Sequence, residues 1–217
     1  MKKYLLAAVL GVCAVTANAQ SRSRFSLGPN AGVGSTWIDN VQNKKFKTHG
    51  NVGLSMVFSA HPNFGIGTDV KYSFEGGRTD NALPNNSVGI HEISLDYLRV
   101  PIKAIYFFGK PGHRLRPKLS AGPSLGFLMG GKTTYSVRNQ SGVVSPISSA
   151  RSKDVWNSFD IGLQGAGGIH YRLVQSTWLV ADVTYYHGLR DIVDNNNTNV
   201  QHKNRNLGLN LGVNFGL

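Results

Sequence analysis

Residues Leu207 to Leu217, at the end of the chain, alternate strictly between two kinds of side chain. Every second position is apolar, and the positions between them hold only glycine or asparagine. Successive side chains of a β-strand point to opposite faces, so this segment would have one wholly apolar face and one small, polar face. Such a strand fits a wall that separates an apolar phase from a polar one.

The same alternation recurs along the chain, and no helical periodicity is sustained. One segment, 91–108, changes the phase of its apolar residues midway, and a β-bulge near Tyr97 and Leu98 would restore one apolar face. The pattern predicts eight strands, at 24–38, 49–59, 63–75, 91–108, 115–129, 155–172, 176–187 and 205–217.

The connections between these strands alternate between long and short. The long ones are 39–48, 76–90, 130–154 and 188–204, and the short ones are 60–62, 109–114 and 173–175. An even number of strands with this alternation is typical of barrels that cross a bacterial outer membrane, with long loops outside and short turns in the periplasm. The predicted fold is therefore all-β, an eight-stranded antiparallel up-and-down transmembrane β-barrel.

A soluble sandwich or lipocalin-like barrel is the alternative, and there the apolar face would point inward. The polar positions are mostly glycine, asparagine and serine rather than lysine and glutamate, which disfavours a water-exposed face. Aromatic residues also lie near predicted strand ends, where the girdles of membrane barrels are found. These residues are Phe25, Trp37, Phe74, Phe108, Phe127, Trp156, Tyr171, Trp178 and Phe215.

The first residues have the pattern of an export signal. Two lysines precede the apolar stretch Leu5 to Val15, and Ala17-Asn18-Ala19 matches an A-x-A cleavage site. We expect residues 1–19 to be a cleaved signal peptide and 20–217 to form the barrel domain. Cys13, the only cysteine, would leave with the signal, so the mature protein would have no disulfide and no thiolate site.

Four segments also resemble one family: Asp96-Tyr97-Leu98-Arg99-Val100-Pro101-Ile102-Lys103, Arg116-Pro117-Lys118-Leu119-Ser120-Ala121-Gly122-Pro123-Ser124-Leu125-Gly126, Phe159-Asp160-Ile161-Gly162 with Gly165-Ala166-Gly167, and Tyr186-His187-Gly188-Leu189-Arg190-Asp191-Ile192. In order and spacing they are similar to strands of the PorT-like outer-membrane β-barrel proteins of Bacteroidetes. The family often has glutamate where Arg99 stands, and its lysine usually falls later than Lys103, so no internal ion pair is implied. The resemblance implies a fold and a location but no activity.

The positions that point inward in the predicted strands include charged residues of both signs. An eight-stranded barrel is just wide enough for side chains to fill it, and buried charges must be paired. We expect either a structural polar plug or a narrow ion path, formed by Asp69, Lys71, Glu75, Asp96, Arg99, Lys103, Lys118, Asp160, Gln164, His170, Arg172 and Asp182.

The chain is strongly basic, with a formal net charge of +12. An exported protein seldom meets nucleic acid, so we expect no nucleic-acid partner; lipid and lipopolysaccharide are the nearer anions. The predicted outer loops carry much of the positive charge, which either contacts lipopolysaccharide phosphates or solvates the loops. The candidate residues are Lys44, Lys45, Lys47, Lys132, Arg138, Arg151 and Lys153.

No catalytic, cofactor or metal site is expected. The possible bases His170, His187 and His202 and the possible nucleophiles Ser158 and Ser176 share no motif spacing, and no G-x-S-x-G elbow occurs. Three hypotheses follow: a structural or interaction barrel that stabilises the cell envelope or serves as a subunit of a secretion or envelope complex, a small channel, or a lipid- or lipopolysaccharide-modifying barrel enzyme. Because a closed barrel has no free strand edge, we expect a monomeric barrel with envelope protein partners.

Overall fold

The computed structural model of the chain describes residues 24–110, 112–193 and 201–217. The predicted signal peptide, residues 1–19, lies outside the described residues. Nowhere in the described part of the chain is there a helix long and apolar enough to cross a membrane.

The described residues form eleven β-strands and one short 3-10 helix, Ser152–Asp154. The strands are β1 (Phe25–Ile38), β2 (Lys44–Lys45), β3 (Lys47–His61), β4 (Phe64–Leu83), β5 (Ser87–Phe107), β6 (Leu115–Gly130), β7 (Lys132–Arg138), β8 (Val144–Arg151), β9 (Phe159–Val174), β10 (Thr177–Gly188) and β11 (Asn204–Gly216).

Eight of these strands form a closed ring. Its order is β1, β3, β4, β5, β6, β9, β10 and β11, every pairing is antiparallel, and β11 pairs back with β1. At the closure, Ala31 of β1 pairs with Val52 of β3 on one side and with Leu211 of β11 on the other. The predicted eight-stranded antiparallel up-and-down barrel is confirmed, with ring strands within a few residues of the predicted bounds, except that β4 runs well past its predicted end and β5 begins several residues early.

The two faces of the last strand point to different environments. Leu207, Leu209 and Leu211 are 46%, 48% and 54% exposed on the outside of the ring, whereas Asn210 and Asn214 are buried inside. Leucines exposed in a row on a closed barrel need an apolar surrounding, because burial of apolar surface away from water drives folding. The wall is therefore apolar outside and polar inside, the reverse of a soluble barrel.

Two of the predicted outer loops, 76–90 and 130–154, are largely strand, and a third, 39–48, contains the short strand β2, so the predicted loop bounds are wrong there. β4 and β5 continue as a hairpin beyond the ring and turn at Asn85 and Asn86, whose φ angles of 59° and 54° fit a type I′ turn. β2 pairs with β4, while β7 pairs with β5 and β8 with β7. The order β2-β4-β5-β7-β8 defines an extension of the same sheet beyond the outer end of the barrel, called here the extracellular sheet.

The expected bulge in β5 is also wrong. The odd-numbered residues from Ile93 to Phe107 are buried without a change of phase, and the irregularity lies in the partner strand β6, between Leu128 and Gly130. The reason is an apolar cluster inside the outer end of the barrel, which places apolar side chains on the inner face of β5. This outer apolar cluster comprises Ile38, Ile93, Leu95, Tyr97, Leu128 and Ile192.

Two aromatic residues that were assigned to the girdles face inward instead. Trp156 packs against the outer apolar cluster and donates its Nε1 proton to Thr133 Oγ1 over 2.8 Å. Trp178 lies beside the buried His170 at the periplasmic end, with ring centroids 6.2 Å apart. The position of a residue near a strand end fixes its height in the barrel but not the face to which it belongs.

Candidate functional site

The centre of the lumen holds a buried arginine between two carboxylates. Arg99 of β5 donates from Nε and Nη2 to the two oxygens of Glu75 over 2.8 and 2.5 Å. Its Nη2 also donates to Asp160 of β9 over 2.7 Å. The guanidinium stacks over the rings of Tyr97 and Tyr186, 4.5 and 4.1 Å from their centroids. This arginine triad ties three strands together across the barrel.

Neutral polar side chains complete the hydrogen bonding of Glu75. Ser73 Oγ donates to Glu75 over 2.8 Å, and the amide of Asn204 donates to the same carboxylate. Asn204 is fully buried, and Thr36 beside it donates to the Arg205 carbonyl oxygen over 2.8 Å. Since Asn204 lies on β11 and its neighbour Thr36 lies on β1, the triad is linked to the strands where the ring closes.

Closer to the periplasm, three lysines neutralise two aspartates. Lys103 and Lys71 lie 2.7 and 3.1 Å from Asp69 Oδ2, and Lys118 lies 2.9 Å from Asp182 Oδ2. Together with the triad, four cations and four carboxylates face one another inside the barrel, so this charged layer has no net charge when ionised. Buried charges that pair in this way avoid most of the cost of desolvation that an unpaired charge would incur.

Apolar side chains close both ends of this charged layer. The outer apolar cluster lies above the arginine triad, and Val57, Ile105 and Phe107 form a second cluster below the lysines. These nine residues and the eight charged side chains occupy the lumen together with neutral polar side chains, as expected for a barrel of this strand number. The arrangement has the form of a plug rather than a water-filled path.

Most of the predicted lumen residues are buried inside the barrel, but some remain partly exposed. Asp69, Lys71, Glu75, Arg99, Lys103, Lys118, Asp160 and His170 are buried in the lumen, and Asp182 reaches it through Lys118. Gln164 and Arg172 have inward parity but keep partial exposure, and Arg172 donates to the Gly112 carbonyl oxygen at the periplasmic end.

The assignment of Asp96 to the lumen is wrong. The buried residues of β5 are odd-numbered, so Asp96 lies on the outer face. The prediction depended on the expected change of phase in β5, which does not occur.

Several lumen residues were missed because they are uncharged. Asn204, Asn210, Thr184, Ser73 and Tyr186 take part in the buried contacts of the charged groups or lie against them. The inward direction of two of them is recognisable in the sequence. Asn210 lies between two outward leucines of the last strand, and Tyr186 follows the outward Tyr185. Their inward parity was the available signal.

Four of the seven predicted outer-loop cations are paired with carboxylates. Lys44 lies 3.2 Å from Asp39, Lys45 lies 2.8 Å from Asp80, Lys47 lies 3.4 Å from Glu92 and Arg151 lies 3.1 Å from Asp154. For Lys132, Arg138 and Lys153, no carboxylate lies within ion-pairing distance among residues 24–110, 112–193 and 201–217. Lys132 and Lys153 lie at the base of the β7–β8 hairpin, and Arg138 lies beside its turn.

Asp80 is the most strongly held carboxylate of the extracellular sheet. Arg78 donates to it from Nε and Nη2 over 2.8 and 3.2 Å, and Lys45 donates over 2.8 Å. The hydrogen bonds from Arg78, together with Lys45, lower the pKa of Asp80 to about 2. The pairing holds β2 against β4 at neutral pH.

The histidines and serines considered as catalytic groups do not come together. His187 lies 3.1 Å from Arg205 Nη2 and 3.4 Å from the Tyr185 hydroxyl, while His170 is buried against Phe107 at the opposite end. In the part of the chain that the structure describes, no hydrogen bond joins a histidine to Ser158 or Ser176. Within the same residues, no group of three histidine or carboxylate side chains could hold a metal ion.

A closed eight-stranded wall that is apolar outside and filled with paired charges inside defines a transmembrane β-barrel. The chain belongs to the family described as "Outer membrane protein beta-barrel domain", which matches residues 18–194. The protein is therefore an integral β-barrel protein of the bacterial outer membrane.

Solved structures of other outer-membrane proteins are similar to this chain, and the similarity to Neisserial surface protein A extends to the fold. Neisserial surface protein A shares 17% identity, with a TM-score of 0.50 over 90% of this chain and 98% of that one. OprG of Pseudomonas aeruginosa shares 12% identity, with a TM-score of 0.47 over 89% and 95% of the two chains. Ail of Yersinia pestis shares 14% identity, with a TM-score of 0.43 over 88% and 99%. No curated protein sequence is significantly similar to this chain.

Proposed function

We propose that this protein is a non-conducting, non-enzymatic barrel that serves as a structural or interaction subunit of an envelope complex, such as a secretion machine. The observation that carries the proposal is the combination of a filled lumen with a sheet that stands on the outer end of the barrel. A plug of paired charges offers no path to solutes, so the surfaces outside the lumen are left to carry the function.

The extracellular sheet supplies such a surface. Every residue of β8 is exposed, and its outer edge has no partner strand among the described residues. Val143, Val144 and Ile147 expose 57%, 49% and 61% of their surface there. Exposed apolar side chains rimmed by serines and cations are typical of a protein-binding site.

The resemblance to the PorT-like proteins of Bacteroidetes supports the choice of a secretion or envelope complex. Its four motifs fall on β5, β6, β9 and the end of β10, and they contain Arg99, Lys103, Lys118 and Asp160 of the lumen. Of these, Asp160 matches the family's motif, whereas Arg99 and Lys103 stand where this sequence departs from the family. Export through cleavage of residues 1–19 is part of the same proposal.

Lipopolysaccharide is the proposed partner of the unpaired outer cations. Lys132 and Lys153 are exposed, and Arg138 lies at the far end of the same hairpin. Phosphate groups bind arginine and lysine through charge-assisted hydrogen bonds. The barrel itself is proposed to be monomeric, since its closed ring presents no free edge to a second copy.

Photo-crosslinking in intact cells tests the proposal. A photoreactive residue replaces Ile147 on the edge strand β8, and the matched control places it at Leu209, which faces lipid. We expect a discrete adduct with an envelope protein from position 147 and none from position 209. The absence of an adduct at position 147, or the same adduct at both positions, would contradict the interaction role.

A further inference from the structure

The outer wall of the barrel has a groove that begins near the periplasmic turns, at Phe64 and Tyr106, and extends beyond the middle of the wall to Tyr185. Its volume is about 590 Å³, and it crosses strands β5, β6, β9 and β10. The floor is a row of small residues in register, in which Ala104 pairs with Ala121 and Ala121 pairs with Gly165. Bulky side chains form the sides, among them Phe64, Tyr106, Leu119, Val183 and Tyr185.

In the described parts of the periplasmic turns, Lys110 and Arg114 are the charged residues, and both are basic. No acidic residue occurs in the described parts of the turns 62–63, 108–114 and 175–176. Arg116 and Arg172 at this end donate to the backbone carbonyls of Pro62 and Gly112 over 2.6 Å. Lys110 and Arg114, by contrast, are exposed, and no described carboxylate lies within ion-pairing distance of either.

These two features lie on the same strands. Lys110 and Arg114 belong to the turn that joins β5 to β6, and the groove lies further along those two strands. An apolar path connects them, because the outward residue pairs between β6 and β9 are Leu115 with Tyr171, Pro117 with Ile169 and Leu119 with Gly167. A charged end and an apolar groove are thus joined without a polar interruption.

The distance between them matches one leaflet of a bilayer. Ala121 is six residues beyond Leu115. At about 3.3 Å per residue this separation is about 20 Å along the strand, or about 15 Å of depth at a tilt of about 40°. The hydrocarbon core is about 30 Å thick, so one leaflet is about 15 Å deep.

We infer that this wall is a binding site for an anionic phospholipid of the periplasmic leaflet. Its phosphate contacts Lys110 and Arg114, and one acyl chain lies in the groove over Ala104, Ala121 and Gly165. A soluble anion or an acidic periplasmic protein would use the cations but not a groove that opens into the hydrocarbon. The site is separate from the extracellular surface of the proposed function, on the opposite side of the membrane.

Gly165 permits a test that leaves the barrel intact. A side-chain carbon added at Gly165 would meet no atom within 4 Å, so Gly165→Leu fills the groove from its floor. Gly50→Leu is the matched control on the outer face of β3, where an added carbon would meet its nearest atoms at 3.8 and 3.9 Å. Lys110→Gln with Arg114→Gln removes the cations, and Lys132→Gln with Lys153→Gln removes two cations at the other end.

Native mass spectrometry of the full-length protein in detergent, with added phosphatidylglycerol, measures the retained lipid. The wild type should retain one tightly bound lipid, and so should both control variants. Removal of the cations should weaken retention about fivefold for each charge, since a basic residue at an anionic surface contributes about that much. Gly165→Leu should also lose the lipid, while all variants remain folded by heat-dependent gel migration.

Equal retention by all five proteins, or no retained lipid on the wild type, would overturn the inference. Loss of binding in the cation variant but not in Gly165→Leu would show an anion site without an acyl chain, which also contradicts it. The crosslink at position 147 is independent of all these results, so the failure of either proposal is distinguishable from the failure of the other.

Discussion

Arg99 presents both Nε and Nη2 to the two oxygens of Glu75, at 2.8 and 2.5 Å, in the middle of a closed barrel. This two-pronged geometry is the strongest form of arginine–carboxylate pairing, because two parallel hydrogen bonds carry the ion pair. Both side chains are almost wholly buried, at 4% and 2% exposure. Glu75 and Arg99 therefore depend on each other, and Asp160 on the far side depends on the same cation.

Replacement of Arg99 by methionine should destabilise the barrel strongly. The substitution keeps an unbranched apolar stem but removes the guanidinium, so Glu75 and Asp160 are left buried without a cation. Breaking a buried pair in this way costs about 3–5 kcal/mol. Urea unfolding of the protein in lipid vesicles, followed by tryptophan fluorescence, would measure this loss in the free energy of unfolding.

Two further variants distinguish the effect of the lost buried ion pair from the effect of replacing an arginine side chain. Arg151→Gln removes an exposed partner of Asp154 and should change the free energy of unfolding by less than about 1 kcal/mol. Adding Glu75→Gln and Asp160→Asn to Arg99→Met removes the stranded charges and should recover much of the lost stability. If Arg99→Met is as stable as Arg151→Gln, the buried triad does not hold the barrel together.

Two glycines of neighbouring strands should respond in opposite ways to a single added methyl group. An alanine Cβ at Gly122 would lie 1.9 Å from the Ile102 carbonyl oxygen, whereas at Gly165 it would meet nothing within 4 Å. Gly122→Ala should therefore cost about 1–3 kcal/mol by overpacking and lower the folded fraction, while Gly165→Ala should fold normally. The fraction that migrates as compact protein on an unboiled gel checks both. Equal folding of the two variants would mean that β5 and β6 do not approach as closely as described.

The carboxyl group of Asp80 should titrate at an unusually low pH. Its pKa is lowered to about 2 by the hydrogen bonds from Arg78 and by Lys45, so its pairing is fully present above its ordinary value of 3.8 and is lost as the pH falls through about 2. A carbon-13 NMR titration of the labelled carboxyl group measures this pKa directly. In a Lys45→Gln, Arg78→Gln variant it should return towards 3.8. An ordinary pKa in the wild type would show that β2 is not held to β4 by these contacts.

The fold itself predicts heat-dependent migration on a gel. A closed barrel keeps its hydrogen bonds within the ring and resists detergent until it is heated, so unboiled and boiled samples should migrate differently. The comparison needs only purified protein in detergent. Identical migration, together with solubility in the absence of detergent, would contradict a membrane barrel.

The sequence predicted the barrel because its membrane-facing strands obey a simple rule. Leu207, Leu209 and Leu211 are apolar because they face lipid, and Gly208 and Asn210 are small or polar because they face the lumen. Each of these residues faces either lipid or the polar lumen, so the alternation of residue types along the strand predicts which way each side chain points. The same rule identified most of the charged groups that meet inside the ring.

The rule fails where the surroundings are no longer lipid on one side and charge on the other. Tyr97 is apolar yet inward, because the outer end of the lumen is closed by an apolar cluster, and this shifted the assignment of Asp96 to the wrong face. β7 and β8 were predicted as a loop because strands with water on both faces need no alternation. Their pairing with β5 is a tertiary contact that the local pattern does not record.

Conductance of the purified wild-type protein in a planar bilayer tests most directly whether the filled lumen makes this a barrel without a pore. Insertion is verified separately by protection of the barrel from added protease. The charge plug and the two apolar clusters that close it predict no discrete current steps at neutral pH. Reproducible single-channel steps from inserted wild-type protein would contradict that claim and would make the protein a small channel.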